Sequence, residues 1–373
     1  MHVPMPHPSA PLAARDRVLL VRLGAVGDVL RTLPALHLIR TAYPSIHLAW
    51  IVEDLSRDLI EGHPEVDEVI RFPRGEPRGG GSRPASLLQA LAGLRRDLRA
   101  RGFTVALDFQ GSLKSGILAW LSSAPRRVGF APGHSRELSF LLTNEWVRPA
   151  SWWLNRVERN LVMAEALGAP GDEITMILPE RAGEGARAEA ILRDAAPGGE
   201  PVVLLSPGTS LRQRYKRWPA DHFARLAALL RRSLGAAPLV TWGPGEEPLA
   251  RVVVGGSAGA ARLAPAIPLR LLAALLRRSA LFIGADSGPM HLAWGVGCPV
   301  VALFGRTDPR LNAPLGDGHV VLRNPASPAS IAPEDVLAAA RGLLQERRPV
   351  RGPADAPHLS RRLVFHATAG PPP

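Results

Sequence analysis

Short, wholly apolar runs closed by Gly, Pro or a polar turn alternate along this chain with longer stretches whose apolar positions recur at helical spacing. The first run, Arg17-Val18-Leu19-Leu20-Val21, passes through a Gly-containing turn into an amphipathic segment from Asp28 to Thr41. A second copy of that opening begins at Pro201-Val202-Val203-Leu204-Leu205-Ser206. It continues through Pro207-Gly208-Thr209-Ser210 to a helical pattern over 219–233. Strands covered by helices on both faces read as continuous apolar runs, the mark of parallel sheets. The alternation predicts further strands at 47–52, 68–72 and 104–109 in the first half, with helices at 55–61, 85–101, 112–122 and 152–167. In the second half it predicts strands at 238–242, 280–285 and 299–304, with helices at 246–253, 268–278, after Ser287 and at 333–346. The fold class expected is α/β, two doubly wound Rossmann-like domains facing across a cleft at the carboxyl ends of their sheets.

Punctuation sets the expected boundaries. A flexible arm covers 1–15, a first domain 16–180, a linker 181–199, a second domain 200–348 and a disordered tail 349–373. The linker assignment rests on its Gly, Ala, Glu and Arg content and on Pro197-Gly198-Gly199, which interrupts any helix. Arg74 to Pro84, carrying Gly79-Gly80-Gly81 with Arg74, Arg78 and Arg83, reads as a mobile basic loop. No apolar run nears the roughly 20 residues of a membrane helix. Residues 1–15 lack a signal-peptide core, so the expected location is cytoplasmic.

Composition adds one strong signal, a formal net charge of +12. It favours acidic partners such as nucleic acid, anionic lipid headgroups or phosphorylated substrates. Aromatic residues do not interleave with the basic ones, as a stacking platform for single strands requires. The single cysteine, Cys298, excludes an internal disulfide and a multi-cysteine zinc site, and its apolar surroundings read as a buried, inert thiol.

Four strand-to-helix turns carry candidate chemistry. In Gly24-Ala25-Val26-Gly27-Asp28 the glycines permit a tight turn, and Asp28 is either a helix N-cap or a carboxylate able to take a proton from an attacking hydroxyl. Thr209 and Ser210, followed by Lys216-Arg217-Trp218-Pro219, bring hydroxyls and an ammonium to a helix start, which suits a diphosphate. Asp286-Ser287-Gly288-Pro289-Met290-His291 starts another helix. Ser287 is placed to cap it, Gly288 lets a ligand approach the backbone, and His291 reads first as a core histidine. Glu246 and Glu247, after Trp242-Gly243-Pro244-Gly245, are placed for ribose hydroxyls or for the positive end of the helix that follows. No Asp-x-Asp pair and no His-Glu-x-x-His occurs, so no metal site and no cofactor is expected.

Together these residues resemble glycosyltransferase family 9, the ADP-heptose:lipopolysaccharide heptosyltransferases. The resemblance spans Val18 to Arg347. It rests on Arg22-Leu23-Gly24-Ala25-Val26-Gly27-Asp28-Val29-Leu30, Asp108-Phe109-Gln110-Gly111-Ser112-Leu113-Lys114-Ser115, Lys216-Arg217-Trp218-Pro219, Asp286-Ser287-Gly288-Pro289-Met290-His291-Leu292-Ala293, and Phe304-Gly305 with Thr307-Asp308-Pro309. It implies the GT-B fold and an inverting transfer with Asp28 as general base. The donor implied is ADP-L-glycero-β-D-manno-heptose, bound by Thr209, Ser210, Lys216, Glu246 or Glu247, Asp286, Ser287, Gly288, Pro289, Met290 and His291. The acceptor implied is a Kdo- or heptose-bearing lipid A precursor, met by Gly27, Lys114, Arg136 and Arg156, with Arg126, Arg127 and the 74–83 loop adding positive charge. Peripheral attachment to the anionic inner face of the inner membrane follows, and no nucleic-acid partner. Trp294 and Gly295 stand where the family usually has small alanines, and Arg306 where Pro is common, departures that bear on the sugar pocket. Three alternatives remain: another ADP-sugar or acceptor, a GT-B-like sugar-nucleotide epimerase, or a basic nucleic-acid-binding protein.

Overall fold

The computed structural model describes residues 10–73, 84–171, 173–346 and 358–359. The first nine residues of the expected arm, the basic loop at 74–83 and almost all of the 349–373 tail lie outside the described residues. The chain divides into two compact units, one ending at 172 and the next beginning at Glu173.

In the first unit, β1 (Arg17–Val21), β2 (His47–Glu53), β3 (Glu68–Phe72), β4 (Val105–Asp108), β5 (Arg126–Phe130) and β6 (Glu145–Val147) form one sheet in the order β3-β2-β1-β4-β5-β6. Every pairing in it is parallel. The second unit opens with the two-residue β7 (Ile174–Thr175). It then builds a parallel sheet from β8 (Val202–Ser206), β9 (Ala237–Val240), β10 (Arg262–Leu263), β11 (Leu281–Ala285), β12 (Val300–Phe304) and β13 (His319–Arg323). Its order, β10-β9-β8-β11-β12-β13, repeats the first. In both sheets the winding reverses between the first and fourth strands, at β1/β4 and at β8/β11, and such switch points leave a crevice beyond the strand ends. β1 is buried from Val18 onward and β8 throughout, and their cores combine strand and helix residues, Leu19, Val21, Ile51 and Leu118 in one and Val203, Leu205, Ile283 and Leu226 in the other. Each such side chain contributes roughly 1.5–3 kcal/mol on leaving water.

Several expectations change. The helix expected from Asp28 to Thr41 is two helices, Val26–Leu30 and Leu33–Ala42. They part where the Thr32 hydroxyl donates to the Asp28 carbonyl, ahead of Pro34 in the first turn of the second helix. The stretch expected as a linker carries helix Glu184–Ala195, which packs on helix Leu269–Arg278 within the second unit. Glu184 pairs with Arg270 and Glu180 with Arg278, so acidic residues at and just before that helix are partnered within the second unit. β5, β6, β10 and β13 were not expected. β5 begins with two arginines, which hid its apolar end, and Arg126 ties it to its neighbour through Glu145 on β6 at 2.8 Å. Among the described residues no helix is long and apolar enough to cross a membrane.

Candidate active site

The first switch point holds a cavity of about 450 Å³. The turn after β1 contributes Arg22, Gly24 and Asp28, and the turn after β4 contributes Phe109, Gln110, Ser112 and Lys114. Arg136 and Glu137 complete it from the loop after β5, with Arg156, Arg159 and Asn160 from helix Arg156–Ala166.

Asp28 is not an N-cap. Ala25 takes that position, and Asp28 is the third residue of its helix with its side chain one-third exposed. Its Oδ1 meets Arg22 at 2.9 Å and Arg31 at 2.5 Å. Arg22 is buried and also donates to the Phe109 carbonyl at 2.5 Å, so the same guanidinium that holds Asp28 fixes the turn after β4. That turn is closed by Asp108, whose Oδ1 accepts from the backbone N–H of Gln110 at 3.0 Å and of Gly111 at 2.9 Å. Burial pushes Asp108 up to about 6, against the pull of those N–H groups, Ser115 and Arg22. Gln110 in turn accepts from the Leu23 N–H at 3.0 Å, locking the two turns together beneath the cavity.

Cations dominate this cavity. Arg159 is pushed down to about 9, first by burial and then by the guanidinium groups of Arg156, Arg22 and Arg136. Arg156 is lowered by burial and by Arg136 and Arg31, with Asp28 opposing. Arg159 lies 4.1 Å from the Phe130 ring centroid and donates to the His134 carbonyl. Lys114 reaches Glu53 at 2.6 Å. Positive charge brought together against mutual repulsion is relieved by an anionic ligand.

The structure therefore brings together Asp28, Lys114, Arg136 and Arg156. Gly27 is buried within its helix, where its carbonyl accepts from Arg31, and Gly24 is the glycine on the cavity wall. Arg126 and Arg127 are spent on the β5 edge, on Glu145 and on the carbonyls of Leu142 and Ala124. Sequence reasoning missed Arg22 and Arg31 as partners of Asp28, and Arg159 and Asn160 altogether. The signal for the last two was the helical spacing of Arg156, Arg159 and Asn160, which puts all three on one face.

The second switch point is built from the turns after β8 and β11. Lys216 and Asp286 are both buried, and the Lys216 ammonium meets Asp286 Oδ2 at 2.8 Å. Asn312 donates to the same oxygen at 3.1 Å, and His291 Nε2 lies 3.5 Å from the other. Burial alone would raise Asp286, but the hydrogen bond and charge of His291 and those of Lys216 outweigh it and hold the carboxyl well below its usual range. The Thr209 hydroxyl donates to the Gln213 carbonyl and accepts from Arg217, so it shapes the loop, whereas Ser210 is exposed. Ser287 holds the N-cap position without a side-chain capping bond, and its buried Oγ has no hydrogen-bond partner. Gly288 and Pro289 open the helix half-buried, while Met290 is fully buried in the core and offers a ligand its backbone alone.

Glu246 and Glu247 separate clearly. A Cβ at Gly208 would stand 2.0 Å from Glu246 Oε2, so only glycine there lets the carboxylate lie over the β8 turn, where it accepts from the Gly243 N–H at 2.9 Å. Glu247 pairs with Arg251 at 2.6 Å beside a shallower cavity lined by Trp242 and Ala264. Trp294 is buried with its Nε1 on the Leu315 carbonyl, and Cys298 is buried, which pushes its thiol up. Among the described residues no three His, Cys, Asp or Glu side chains gather as a metal ion needs.

Known proteins share this layout. Residues 91–335 match the model of glycosyltransferase family 9 (heptosyltransferase). Lipopolysaccharide heptosyltransferase 1 of Pseudomonas aeruginosa is 31% identical over 319 residues, covering 82% of this chain and 83% of that protein. The solved structure of E. coli heptosyltransferase WaaC with ADP superposes with a TM-score of 0.70 at 26% identity, over 88% of this chain and 99% of the other. The same E. coli enzyme with ADP-2-deoxy-2-fluoro heptose gives 0.67 at 27%, over the same shares. With two parallel six-stranded sheets of one strand order, the GT-B pattern, this chain is a glycosyltransferase and belongs to glycosyltransferase family 9, the heptosyltransferases.

Proposed function

We propose that this protein moves heptose from ADP-L-glycero-β-D-manno-heptose to an inner-core sugar of lipopolysaccharide, with inversion and with Asp28 as general base. The observation that carries the reading is the first cavity, in which a partly exposed carboxylate stands among Arg22, Lys114, Arg136, Arg156 and Arg159. Such a field suits a sugar bearing carboxylates and phosphates, as a Kdo- or heptose-bearing lipid A precursor does. Residues 16–172 form the acceptor domain in this reading and 173–348 the donor domain.

The acceptor hydroxyl gives its proton to the Asp28 carboxylate as its oxygen attacks the anomeric carbon. The bond from that carbon to the β-phosphate oxygen breaks, and ADP leaves with the electron pair. Arg22 and Arg31, both on Oδ1, orient the base. Lys216 and the backbone N–H groups after Ser287 neutralise charge growing on the diphosphate, and the exposed Ser210 hydroxyl adds a donor. Glu246 takes the ribose, since its carboxylate faces the turn that carries Thr209 and Ser210. His291 acts through Asp286, which it helps keep ionised opposite Lys216. The two E. coli structures, with ADP and with an ADP-heptose analogue, support the nucleotide assignment. The enzyme works at the cytoplasmic face of the inner membrane, bound peripherally.

A coupled ADP-release assay with ADP-heptose and Kdo- or heptose-terminated acceptors tests this. Wild type releases ADP only when acceptor is present, and Asp28→Asn folds but turns over slowly. Near-normal turnover by folded Asp28→Asn would falsify the base assignment, and ADP release without acceptor would turn the reading toward an epimerase or hydrolase.

A further inference from the structure

Among the described residues, the exposed large apolar side chains of the first unit are Leu55, Leu113, Trp120, Leu138, Leu141, Trp152 and Trp153. All but Leu55 lie on segments that border the cation-rich cavity or on the helix beside it. Leu113 stands between Ser112 and Lys114, and Leu138 follows Arg136 and Glu137, four residues on the cavity wall. The two segments are joined, since the Leu113 N–H donates to the Glu137 carboxylate at 3.2 Å.

The local backbone turns these side chains outward. Glu137 and Leu138 both adopt left-handed conformations, with φ of 51° and 59°, and a 3₁₀ helix follows from Ser139 to Leu142. Leu138, in the left-handed N-cap position, and Leu141, within the 3₁₀ helix, are 61% and 68% exposed. The 3₁₀ helix is seated closely on helix Leu113–Leu121 at Gly116, where a Cβ would lie 3.1 Å from Leu142 Cδ1. Leu142 is thus the inward anchor, and Leu138 and Leu141 are the outward prongs. Across the cavity loop, Trp152 stacks on His134 with centroids 4.9 Å apart, and Trp152 and Trp153 are 54% and 58% exposed. Exposed Arg148 and half-buried Arg156 flank that pair.

Leucines and tryptophans projecting singly among cations differ from a continuous apolar face, which is what a protein partner or a second copy of the chain covers. They match the layering of a membrane interface. Apolar tips enter the acyl boundary, indole rings lie at headgroup level, and Lys and Arg meet lipid phosphates. The geometry points to the Leu138/Leu141 turn, with Trp152 and Trp153, as the surface by which this protein inserts into an anionic phospholipid bilayer, holding the mouth of its acceptor cavity at the membrane. This deepens the function proposed above and rests on its lipid-borne acceptor.

The test is flotation of the full-length protein with phosphatidylcholine vesicles, with and without phosphatidylglycerol. Wild type floats with the anionic vesicles, and Leu138→Ser/Leu141→Ser lowers its partition coefficient by at least about tenfold. Bromine-labelled acyl chains quench wild-type fluorescence more than that of Trp152→Phe/Trp153→Phe. With a deacylated, water-soluble acceptor the serine variant turns over like wild type, which excludes misfolding. Equal flotation of the serine variant and wild type, or no flotation of wild type, overturns the proposal. So does a lipid-free dimer of wild type that the serine variant loses, because the prongs would then be a self-interface. The two readings fail separately. Vesicle binding without ADP release from any core acceptor removes the reaction and leaves the surface. Normal ADP release with unaltered flotation of the serine variant removes the surface and leaves the reaction.

Discussion

Asp108 and Asp286 occupy equivalent places in two sheets of the same strand order, one closing the strand beside β1 and the other directly following the strand beside β8. Their surroundings give them opposite characters. Asp108, itself fully buried, accepts from two backbone N–H groups of its turn, and burial carries it up to about 6. Asp286 faces an ammonium and an imidazole, and stays well below the ordinary range despite equal burial. In the first unit the acid builds a turn, and the surplus cations are left to the cavity. In the second it neutralises the one ammonium the site contains. One topology thus yields a cavity in electrostatic deficit and a site already balanced.

Four measurements break or sharpen this contrast. The largest effect belongs to the first unit. Asp28→Asn is expected to lower turnover by about 10²–10⁴-fold, as loss of a general base does, with donor KM little changed in steady-state kinetics. Next comes the balanced site. Lys216→Met leaves Asp286 buried without its ammonium and is expected to cost roughly 3–5 kcal/mol in denaturant unfolding, most of it recovered in Lys216→Met/Asp286→Asn. If the single variant is as stable as wild type, the two switch points are not electrostatically different.

Third is the pH dependence of Asp108. Its folded pKa is raised above the unfolded value, so its contribution is fully present below about 3.9 and is lost as pH rises through about 6. Asp108→Asn should therefore gain on wild type across that window by roughly 3 kcal/mol, read as the difference between their stability-against-pH curves. A flat difference would mean that burial does not raise Asp108 above its unfolded value. The smallest effect is Arg156→Gln. Removing one repelled cation should leave stability within about 0.5 kcal/mol of wild type. It should raise acceptor KM about tenfold, the loss of one charge-assisted contact. A stability loss near that of Lys216→Met would show the first cavity to be balanced as well.

Much of the architecture was legible in sequence because the central strands are apolar throughout and their turns carry Gly. Strands β5 and β6 were not, since β5 opens on Arg126 and Arg127, whose partners lie on β6 and in loops that no local pattern discloses. Helix Glu184–Ala195 was hidden for a related reason. Its composition suits a linker, and Glu184 and Glu189 pair with Arg270 and Arg278 on a helix far along the sequence, 86 positions separating the first pair. Motif spacing singled out Asp28, Lys216 and Asp286, which lie at the two switch points. It could not show that Arg22 and Arg31 share one oxygen of Asp28, or that Thr209 turns its hydroxyl into its own loop.

The Lys216–Asp286 pair carries one more consequence, for selectivity against common ions. Because the ammonium already has a partner, an anion gains it only by exchange, and a chloride or other monovalent ion replaces one negative charge with another for no net return. In the donor role proposed for this site, a diphosphate brings enough charge to share the ammonium with Asp286 while its remaining oxygens reach the helix N–H groups beyond Ser287. On that proposal the site is a threshold device, indifferent to the salt around it and responsive to the charge density of a nucleotide.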